Sequence, residues 1–347
     1  MQLIEFTDKG LYCSAGDFYI DPWQPVARAV ITHAHSDHAK AGNRSYLCHH
    51  LTKPLLQARL GNFLYESVEW NEAVYMNGVK VSLHPAGHII GSSQVRVEYK
   101  GKVWVVSGDY KTTDDGISGA FEPVRCHTFI TESTFGLPVY DWKPQQLIYS
   151  NIQDWVLQNK SKGKASILIA YSLGKAQRLL QPLTEITNTI YVHGAIWNMH
   201  QAIVSTGLLL PEVELITAET PKEKLKGSVV IAPPSADGSS WMKKFIPYET
   251  GVCSGWMQVR GNFRRRNTDA GFALSDHADW KGLLSAIKAT GAEQVFVTHG
   301  FQAALSRYLN EQGIQSGEVK TAYGDEEETE NINQPVAFNP QEEGGLA

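Results

Sequence analysis

The apolar residues of this chain fall mainly into short runs with the patterns expected of β-strands. Residues 79–83 alternate between apolar and polar side chains, which predicts a strand with one buried face. Residues 26–32, 103–107 and 294–298 are largely apolar, which predicts strands buried in a core. Residues 1 to about 134 are therefore expected to consist mostly of short strands and turns.

A second pattern, in which helices and strands alternate, begins near residue 143. Apolar side chains recur at helical spacing in residues 143–160, which predicts an amphipathic helix. Residues 166–170 have the pattern of a buried strand, and a turn at residues 171–175 leads into a second helix. The succession of strand and turn returns at residues 229–234. This alternation predicts a parallel sheet with its own core.

Potential metal ligands follow the ends of four predicted strands. The sequence His33-Ala34-His35-Ser36-Asp37-His38 comes directly after residues 26–32. His88, Asp109 and His299 follow the other three strands, each with a glycine beside it. Imidazole and carboxylate groups are ligands of zinc, manganese and iron. In an extended loop, His33 and His35 point to one side while Asp37 and His38 serve a second position, so the spacing suggests two metals.

The charge balance of the chain changes once its last residues are set aside. The 347 residues carry a formal net charge of −5, which is unfavourable for binding nucleic acid. Residues 325–347 contain seven acidic side chains and no lysine or arginine, and the remaining residues carry 31 basic and 29 acidic side chains. Two divalent metals would add further positive charge at a cleft. The acidic tail is low in apolar residues and is expected to be disordered.

The other compositional features favour a protein of the cytoplasm. The sequence has no apolar run of the roughly 18 residues that a membrane span requires. The first residues lack the basic and apolar regions of a secretion signal, so no export is expected. The four cysteines are scattered without a C-x-x-C pair, which suits a reducing compartment.

The set of candidate ligands resembles that of the metallo-β-lactamase fold, an α/β fold built as an αββα sandwich with a two-metal site at one sheet edge. The resemblance implies that His33, His35 and His88 bind the first metal. It implies that Asp37 and His38 bind the second metal and that Asp109 bridges the two. Asp21 stands where the family keeps a supporting carboxylate, although a turn aspartate before a proline is the alternative.

Three further residues make the sequence similar to the β-CASP nucleases, which include Artemis-type DNA nucleases, the pre-mRNA 3′-end cleavage nuclease and RNase J. Glu132, His277 and His299 correspond to the three motifs of that group, and His299 would be an additional ligand of the second metal. The resemblance implies a metallo-β-lactamase core at residues 1–134 and 268–324. It also implies an inserted β-CASP α/β cap domain at residues 135–267, with the acidic tail at 325–347.

The resemblance also implies a mechanism for hydrolysing phosphodiester bonds. Two divalent ions, Zn²⁺ or Mn²⁺, would lower the pKa of a bridging water and neutralise charge on the phosphate, with Asp109 and Asp37 as catalytic carboxylate ligands. His277 would supply the leaving-group proton because the pKa of imidazole lies near working pH. Glu132 would fix the tautomer of His277. The alternatives are a metal or structural role for His277 and a helix-capping role for Glu132.

Contacts with the substrate are expected on the turn at residues 171–175 and near residue 256. Backbone amides at a helix start favour phosphate binding, which suggests Ser172, Gly174, Lys175 and, one turn later, Arg178. An ordinary strand-to-helix turn with solvated basic residues is the alternative. Trp256 would stack on bases unless it belongs to the core. The basic run at residues 260–266, which contains Phe263, would follow strand phosphates unless it forms a solvated face.

Finer features make the sequence resemble the bacterial ligase-associated DNA exonucleases. The runs Cys48-His49-His50 and Ser254-Gly255-Trp256-Met257-Gln258 and the compact length carry this resemblance. It implies a cytoplasmic exonuclease acting on single-stranded DNA or DNA ends in repair, associated with an ATP-dependent DNA ligase and a helicase. His49 and His50 would be ordinary surface or core residues, or would support the metal loop.

Two other functions compete with this interpretation. RNA-acting members of the family usually carry histidine where His299 stands, which favours a ribonuclease of the RNase J type, whereas eukaryotic DNA-specific members usually carry valine. A catalytically inactive β-CASP scaffold for a helicase or ligase is the alternative outside enzymology. It is disfavoured because every expected metal position, Glu132 and His277 are present.

Overall fold

The structure is a computed structural model, and it describes residues 2–259 and 268–323. Its strands are short, as the sequence pattern predicts. They are β1 (Glu5–Phe6), β2 (Leu11–Cys13), β3 (Phe18–Ile20), β4 (Arg28–Val30), β5 (Ser45–His49), β6 (Leu64–Val68), β7 (Ala73–Met76), β8 (Val79–Pro85), β9 (Ser93–Tyr99), β10 (Lys102–Val106), β11 (Thr128–Ser133), β12 (Ala165–Ile169), β13 (Ile190–Val192), β14 (Glu214–Leu215), β15 (Val229–Ala232), β16 (Tyr248–Cys253), β17 (Ala270–Phe272), β18 (Gln294–Gly300) and β19 (Gln315–Glu318).

The helices of the described residues are mostly short as well. They are α1 (Thr52–Leu60), α2 (Gln145–Ser161), α3 (Lys175–Thr184), α4 (Gly194–Val204), α5 (Lys222–Leu225), α6 (Trp280–Thr290) and α7 (Gln302–Glu311), with 3₁₀ turns at Pro234–Ala236, Ser240–Phe245 and Gly255–Gln258. The amphipathic helix predicted at residues 143–160 is confirmed as α2. None of the described helices has the length and apolar character needed to cross a membrane.

The strands form three sheets, two of which share one core. The first sheet has the order β1-β2-β3-β4-β5-β6, and the second has the order β19-β18-β11-β10-β9-β8-β7. Apolar side chains from both sheets, including Phe18, Ile20, Val81 and Val97, belong to one buried cluster. The alternation predicted for residues 79–83 therefore places Val81 and Leu83 between two packed sheets.

Helices cover the outer faces of this pair of sheets. Leu55 and Leu56 of α1 are buried with side chains of the first sheet. On the other side, Leu283 of α6 and Leu305 of α7 are buried with Val295 and Val297 of β18. The result is a helix, sheet, sheet, helix order around a central apolar layer. The α/β character that the sequence predicts is thus present in this part of the chain.

The third sheet is formed by the segment that alternates between helices and strands. Its order is β14-β13-β15-β12-β16-β17, and all of its pairs are parallel. Its strands are buried on both faces, against α2 and α3 on one side and against residues such as Met242 and Phe245 on the other. Strand β17 lies just beyond residue 267, where the sequence analysis places the end of the inserted segment.

Candidate metal centre

The ends of several strands bring the candidate ligands together at one edge of the two packed sheets. His33, His35 and His38 lie in the loop after β4, and His88 lies in the loop between β8 and β9. Asp109 follows β10, and His299 is in β18. Because β10, β11 and β18 are parallel neighbours, their carboxyl ends meet at the same edge. These six residues and Asp37, which precedes His38 in the same loop, fall into two groups that share Asp109.

The first group consists of His33, His35 and His88, whose ligand nitrogens lie within 4.8 Å of one another. His88 Nδ1 lies 2.9 Å from the carbonyl oxygen of Asp276, and His35 Nε2 lies 3.1 Å from that of Leu173. Since carbonyl oxygens only accept hydrogen bonds, both of these outer nitrogens carry the proton.

This tautomer assignment leaves two nitrogen lone pairs facing each other. His88 Nε2 and His35 Nδ1 are 3.0 Å apart, and neither carries a proton in the neutral ring. Two acceptors at this distance repel unless a cation lies between them. The outer hydrogen bonds therefore present the inner nitrogens as ligands, as is usual for histidines that bind a metal.

The second group surrounds the other side of Asp109. His38 Nε2 lies 3.5 Å from Asp37 Oδ2 and 3.5 Å from Asp109 Oδ2. His299 Nε2 lies 3.8 Å from Asp109 Oδ1. His33 Nε2 of the first group is 3.6 Å from Asp109 Oδ2. The Asp109 carboxylate thus faces both groups, which is the position expected of a bridging ligand.

The fit of this site to cations is tested by its hydrogen bonding. Buried polar atoms are normally paired, because an unpaired one costs about 1–3 kcal/mol. Within the described residues, seven buried ligand atoms here have no hydrogen-bond partner: His33 Nε2, both carboxylate oxygens of Asp37, His38 Nε2, both carboxylate oxygens of Asp109, and His299 Nδ1. Nitrogen and oxygen donors left unpaired in this arrangement fit Zn²⁺ or Mn²⁺.

The electrostatics of the two groups are dominated by burial and by the Asp109 carboxylate. Burial alone would raise the pKa of Asp109, yet His38 and His299 hold it well below its usual range. Burial opposes charge on His38, but Asp109 and Asp37 raise its pKa well above the usual value. At His33, burial and the neighbouring His38 hold the pKa well below its usual value. The site thus favours positive charge between its carboxylates.

Asp21 contacts the second group through the Nδ1 atom of His38. Its Oδ2 lies 2.8 Å from His38 Nδ1, and its carboxylate also accepts hydrogen bonds from the backbone N–H and the hydroxyl of Thr32. The residue has φ +43, a region that non-glycine residues rarely occupy. These contacts fix the ring of His38 with Nε2 toward Asp109. The alternative reading of Asp21 as only a turn residue does not account for this geometry.

His277 and Glu132 form a buried pair beside the metal groups. His277 Nδ1 lies 3.1 Å and 3.0 Å from the two carboxylate oxygens of Glu132. The backbone N–H of Tyr110 donates to Glu132 Oε1 at 2.7 Å, so this carboxylate is held by the chain that follows Asp109. The ring of His277 lies 4.5 Å from that of His88. Glu132 is therefore placed to orient His277, and its Oε2 also accepts a hydrogen bond from the backbone N–H of Thr134 at 3.4 Å.

Asp276 anchors the loop that carries His277 to the third sheet. Its carboxylate, which is fully buried, accepts hydrogen bonds from Lys175 Nζ at 2.9 Å and from Arg178 Nη1. Arg178 Nη1 also donates to the carbonyl oxygen of Ser275 at 2.6 Å. The backbone carbonyl of Asp276 in turn orients His88. The ion pairs of the Asp276 carboxylate thus help to position both His277 and His88.

Two residues at the turn that were predicted to contact substrate, Gly174 and Arg178, are instead engaged by other groups of the protein. The backbone N–H of Gly174 donates to Gln177 Oε1 at 2.7 Å, so an internal capping contact uses the amide expected to bind phosphate. Gly174 has φ +99, and a Cβ there would lie 2.6 Å from Ile89 Cγ2, so close packing explains the glycine. Arg178, predicted to contact substrate phosphate with a solvated helix face as the alternative, is buried and paired with Asp276. These contacts correct the sequence-based picture at both positions.

A narrow cleft opens next to His277 and His299. Trp256 and Lys175 line it together with Ser254 and Thr134. Lys175 is also 4.3 Å from the ring centroid of Tyr171. Ser172, the remaining residue predicted on the turn, accepts a hydrogen bond from Gln177 through its backbone carbonyl. Of the predicted substrate contacts, Lys175 and Trp256 are the ones placed at the cleft.

Several residues of the site lack a signal in the sequence. The ring of Tyr323 stacks on His38 at 4.3 Å, and its hydroxyl donates to the carbonyl oxygen of Asp21 at 3.3 Å. The hydroxyl of Thr134 lies 3.0 Å from His299 Nε2. Asp276 has no signal in the sequence apart from its place directly before His277. The basic run at 260–266 with Phe263 and the acidic tail at 325–347 lie outside the described residues.

Comparisons with known proteins bear on this geometry. No family model matches the chain. It is 30% identical over 311 residues to a probable DNA ligase of Opitutus terrae, covering 88% of this chain and 30% of that protein. It is 32% identical over 124 residues to cleavage and polyadenylation specificity factor subunit 3 of Dictyostelium discoideum, and 29% identical over 128 residues to endoribonuclease YSH1 of Saccharomyces cerevisiae.

The last two matches cover 35% of this chain and 16% and 15% of those proteins. These similarities support the β-CASP nuclease family. The chain spans less than a third of the length of the curated relatives it matches. A protein of unknown function from Enterococcus faecalis V583 shares the fold, with a TM-score of 0.55 over 86% of this chain and 80% of that one at 12% identity. The relatives imply a metallo-β-lactamase fold and a metal-dependent hydrolase.

Proposed function

We propose that the protein is a two-metal-dependent nuclease that hydrolyses phosphodiester bonds of DNA from an end, in repair or end-processing. The observation that carries this proposal is the meeting of two ligand groups at Asp109 beside the oriented pair of His277 and Glu132. Two-metal sites of this composition are suited to phosphoryl chemistry. Similarity to proteins named as endoribonucleases supports the reaction class.

In this proposal each group of ligands holds one ion. His33, His35 and His88 hold the first, and Asp37, His38 and His299 hold the second, with Asp109 shared. Bound divalent ions would supply an activated nucleophile and neutralise charge on the phosphate. The supporting hydrogen bonds of Asp21, Thr32 and Tyr323 keep the ring of His38 in place.

His277 is proposed as the general acid. Glu132 holds the proton of His277 on Nδ1, and this leaves Nε2 as the atom that exchanges a proton with the leaving oxygen. The ring lines the cleft that also contains His299 and Lys175, so substrate in that cleft is within its reach. Because Glu132 is fixed by the backbone of Tyr110, this orientation is present before substrate binds.

The segment at residues 135–267 is proposed to be the inserted cap domain. It supplies five of the six strands of the third sheet, and β17 follows it at Ala270–Phe272. Through Lys175 and Trp256 it also supplies one wall of the cleft. A single nucleic-acid strand that enters this cleft would then lie between the cap wall and the metal groups. Residues 1–134 and 268–324 are proposed as the core, and the acidic segment 325–347 as a tail.

The preference for DNA rests on the similarity to the probable DNA ligase, which extends over 88% of this chain. A long protein named as a probable DNA ligase thus contains a segment similar to nearly all of this sequence, which supports a functional association with a ligase. We propose that this ligase is ATP-dependent and that a helicase acts with it. The second candidate is a ribonuclease of the RNase J type, favoured by His299 at the metal edge and by the matches to endoribonuclease YSH1. An inactive scaffold would not require His277 and Glu132 to be oriented.

Digestion of matched single-stranded DNA and RNA of the same sequence tests the proposal. Each strand is labelled in turn at its 5′ and 3′ ends and incubated with Mn²⁺ or Zn²⁺, with Asp109→Ala as the control. Stepwise, metal-dependent release of mononucleotides from DNA supports the exonuclease. Selective cleavage of RNA would instead identify the protein as a ribonuclease of the RNase J type. If the metal-loaded protein cleaves neither strand, the inactive scaffold becomes the preferred function.

A further inference from the structure

A second polar cavity borders the loop that carries His277. It has a volume of about 190 Å³, against roughly 30 Å³ for one water molecule in the liquid. Lys111, Lys143 and Arg178 are among its lining residues, together with Ser275 of the His277 loop. We name it the Lys111 cavity. None of the metal ligands lines it, and Ser275 is the one residue that it shares with the cleft beside His299.

Lys111 is the unusual member of this lining. The residue is 5% exposed. Within the described residues its ammonium group makes no hydrogen bond and no ion pair. A buried ammonium without a partner is costly, and buried lysines are almost always paired. The side chain is buried along its length and presents its positive charge to a space large enough for a ligand.

The carboxylates near Lys111 are already engaged elsewhere. Asp276 is bound by Lys175 and Arg178, and Asp279 accepts hydrogen bonds from the backbone N–H groups of Trp142 and Gly282. Asp115 accepts from the backbone N–H groups of Ile117 and Ser118 and from the Ser118 hydroxyl. Asp279 also lines the cavity, where its hydrogen-bond donors are neutral backbone N–H groups. The lining thus carries Lys111, Lys143 and Arg178 against this one carboxylate, an excess of positive charge that favours a negatively charged ligand.

A helix start faces the same cavity. Helix α2 has 17 residues, and its first turn, at Pro144, Gln145 and Ile148, lines the cavity. Pro144 provides no side-chain cap, and the first turn contains no acidic residue. The N-terminus of a helix presents backbone N–H groups and about half a positive charge. Anions, and phosphate groups in particular, bind at such sites.

We propose that the Lys111 cavity binds a phosphate group, held by the Lys111 and Lys143 ammonium groups and by the backbone N–H groups at the start of α2. Phosphate suits the cavity better than a carboxylate, because it offers more acceptor oxygens for donors that converge from different elements. Arg178 lines one wall, where its guanidinium is paired with Asp276 and Asp115. The proposal stands independently of whether the metal centre cleaves DNA, RNA or neither.

The cavity is linked to the catalytic loop by direct hydrogen bonds. The indole N–H of Trp142, which lines the cavity, donates to the carbonyl oxygen of His277 at 2.9 Å. The hydroxyl of Ser275 accepts from the backbone N–H of His277 at 3.0 Å. A phosphate bound here would therefore contact the same segment that places His277. This phosphate comes either from solution or from a nucleic-acid strand that runs past the loop.

Calorimetric titration of the metal-loaded protein with inorganic phosphate tests the site. Lys111→Gln and Lys143→Gln are compared with wild type, and Lys160→Gln is the matched control, because Lys160 lies in the exposed last turn of the same helix. Loss of one charged hydrogen bond is expected to weaken phosphate binding about ten- to a hundredfold in the first two variants. Lys160→Gln should bind like wild type. Equal metal content is verified in all four proteins.

A second arm distinguishes the source of the phosphate. The salt dependence of binding to short single-stranded oligodeoxythymidylate is measured for Lys111→Gln and for wild type. A decrease in the salt slope of about 0.7 indicates that a strand phosphate occupies the cavity. An unchanged slope with weakened inorganic phosphate binding indicates a free anion. Phosphate affinity equal in all four proteins would overturn the proposal, because phosphate would then bind only at the metals or elsewhere.

A folding control keeps the test decisive. Since the Lys111 ammonium has no protein partner, its removal is expected to leave the melting temperature without phosphate unchanged or higher. Phosphate should raise the melting temperature of wild type more than that of Lys111→Gln, because a ligand stabilises the state that binds it. If Lys111→Gln has a lower melting temperature than wild type, and phosphate does not restore it at any concentration, Lys111 has a structural role. This result would contradict the proposal.

Discussion

Removal of the Asp276 carboxylate is expected to destabilise the fold strongly. The side chain is fully buried and lies between two cations, with Lys175 Nζ at 2.9 Å and Arg178 Nη1 in direct contact. Asp276→Ala would leave both cations buried with less compensation. Breaking a buried ion pair by removing one partner typically costs about 3–5 kcal/mol, because the remaining charge is uncompensated. The free energy of unfolding should therefore fall by about 3–5 kcal/mol.

An exposed ion pair of the same length provides the matched control. Lys281 Nζ lies 2.9 Å from Asp141 Oδ2, but these side chains are 74% and 54% exposed. Water screens such a pair, so Asp141→Ala should cost less than about 1 kcal/mol. Both variants and wild type are unfolded in urea, and the midpoint and slope of each transition are compared. If Asp276→Ala costs no more than Asp141→Ala, the inference that burial makes the Asp276 network essential is refuted.

Further predictions concern the site and its pH dependence. His277→Ala should keep its bound metal and lose rate by about 10²–10⁴-fold, as is typical of general acid catalysis, and loss of metal in this variant would instead make His277 a ligand. Glu132→Gln should lower the rate and move its pH profile, because the amide cannot hold the His277 proton as a carboxylate does; an unchanged profile would contradict the orienting role. His49 should make stability pH-dependent: burial and the neighbouring His50 lower its pKa from 6.5 to about 3, so between these values the unfolded chain takes up a proton that the folded protein does not. Stability should therefore fall as pH decreases below about 6.5. Melting temperatures of wild type and His49→Asn between pH 7.5 and 5 would test this, and equal slopes in the two proteins would refute it.

The sequence predicted the ligand groups because each ligand follows a strand of recognisable pattern. Apolar runs locate the strand ends, and His and Asp at such ends are chemically unusual in a core. The sharing of Asp109 by both groups needed the parallel order of β10, β11 and β18, which pairing across long sequence separations decides. Tyr323 could not be predicted, since its partner His38 is far away in the sequence.

The substrate turn shows why local patterns were insufficient elsewhere. A strand followed by a glycine-containing turn and a basic helix predicts phosphate contacts, and the same letters also suit a buried ionic network. Tertiary packing decided between them when Asp276 paired with Lys175 and Arg178. The Lys111 cavity was equally invisible in the sequence, because its walls come from the segment after Asp109, the start of α2 and the His277 loop.

Two divalent ions are expected to occupy the site and to share Asp109 as a ligand. The decisive measurement is the number of ions bound per chain, by inductively coupled plasma mass spectrometry after loading with Mn²⁺ or Zn²⁺ and desalting. Two ions are expected in wild type, one in His35→Ala and in His38→Ala, and none in Asp109→Ala. A single ion in wild type, or two retained in Asp109→Ala, would contradict this expectation.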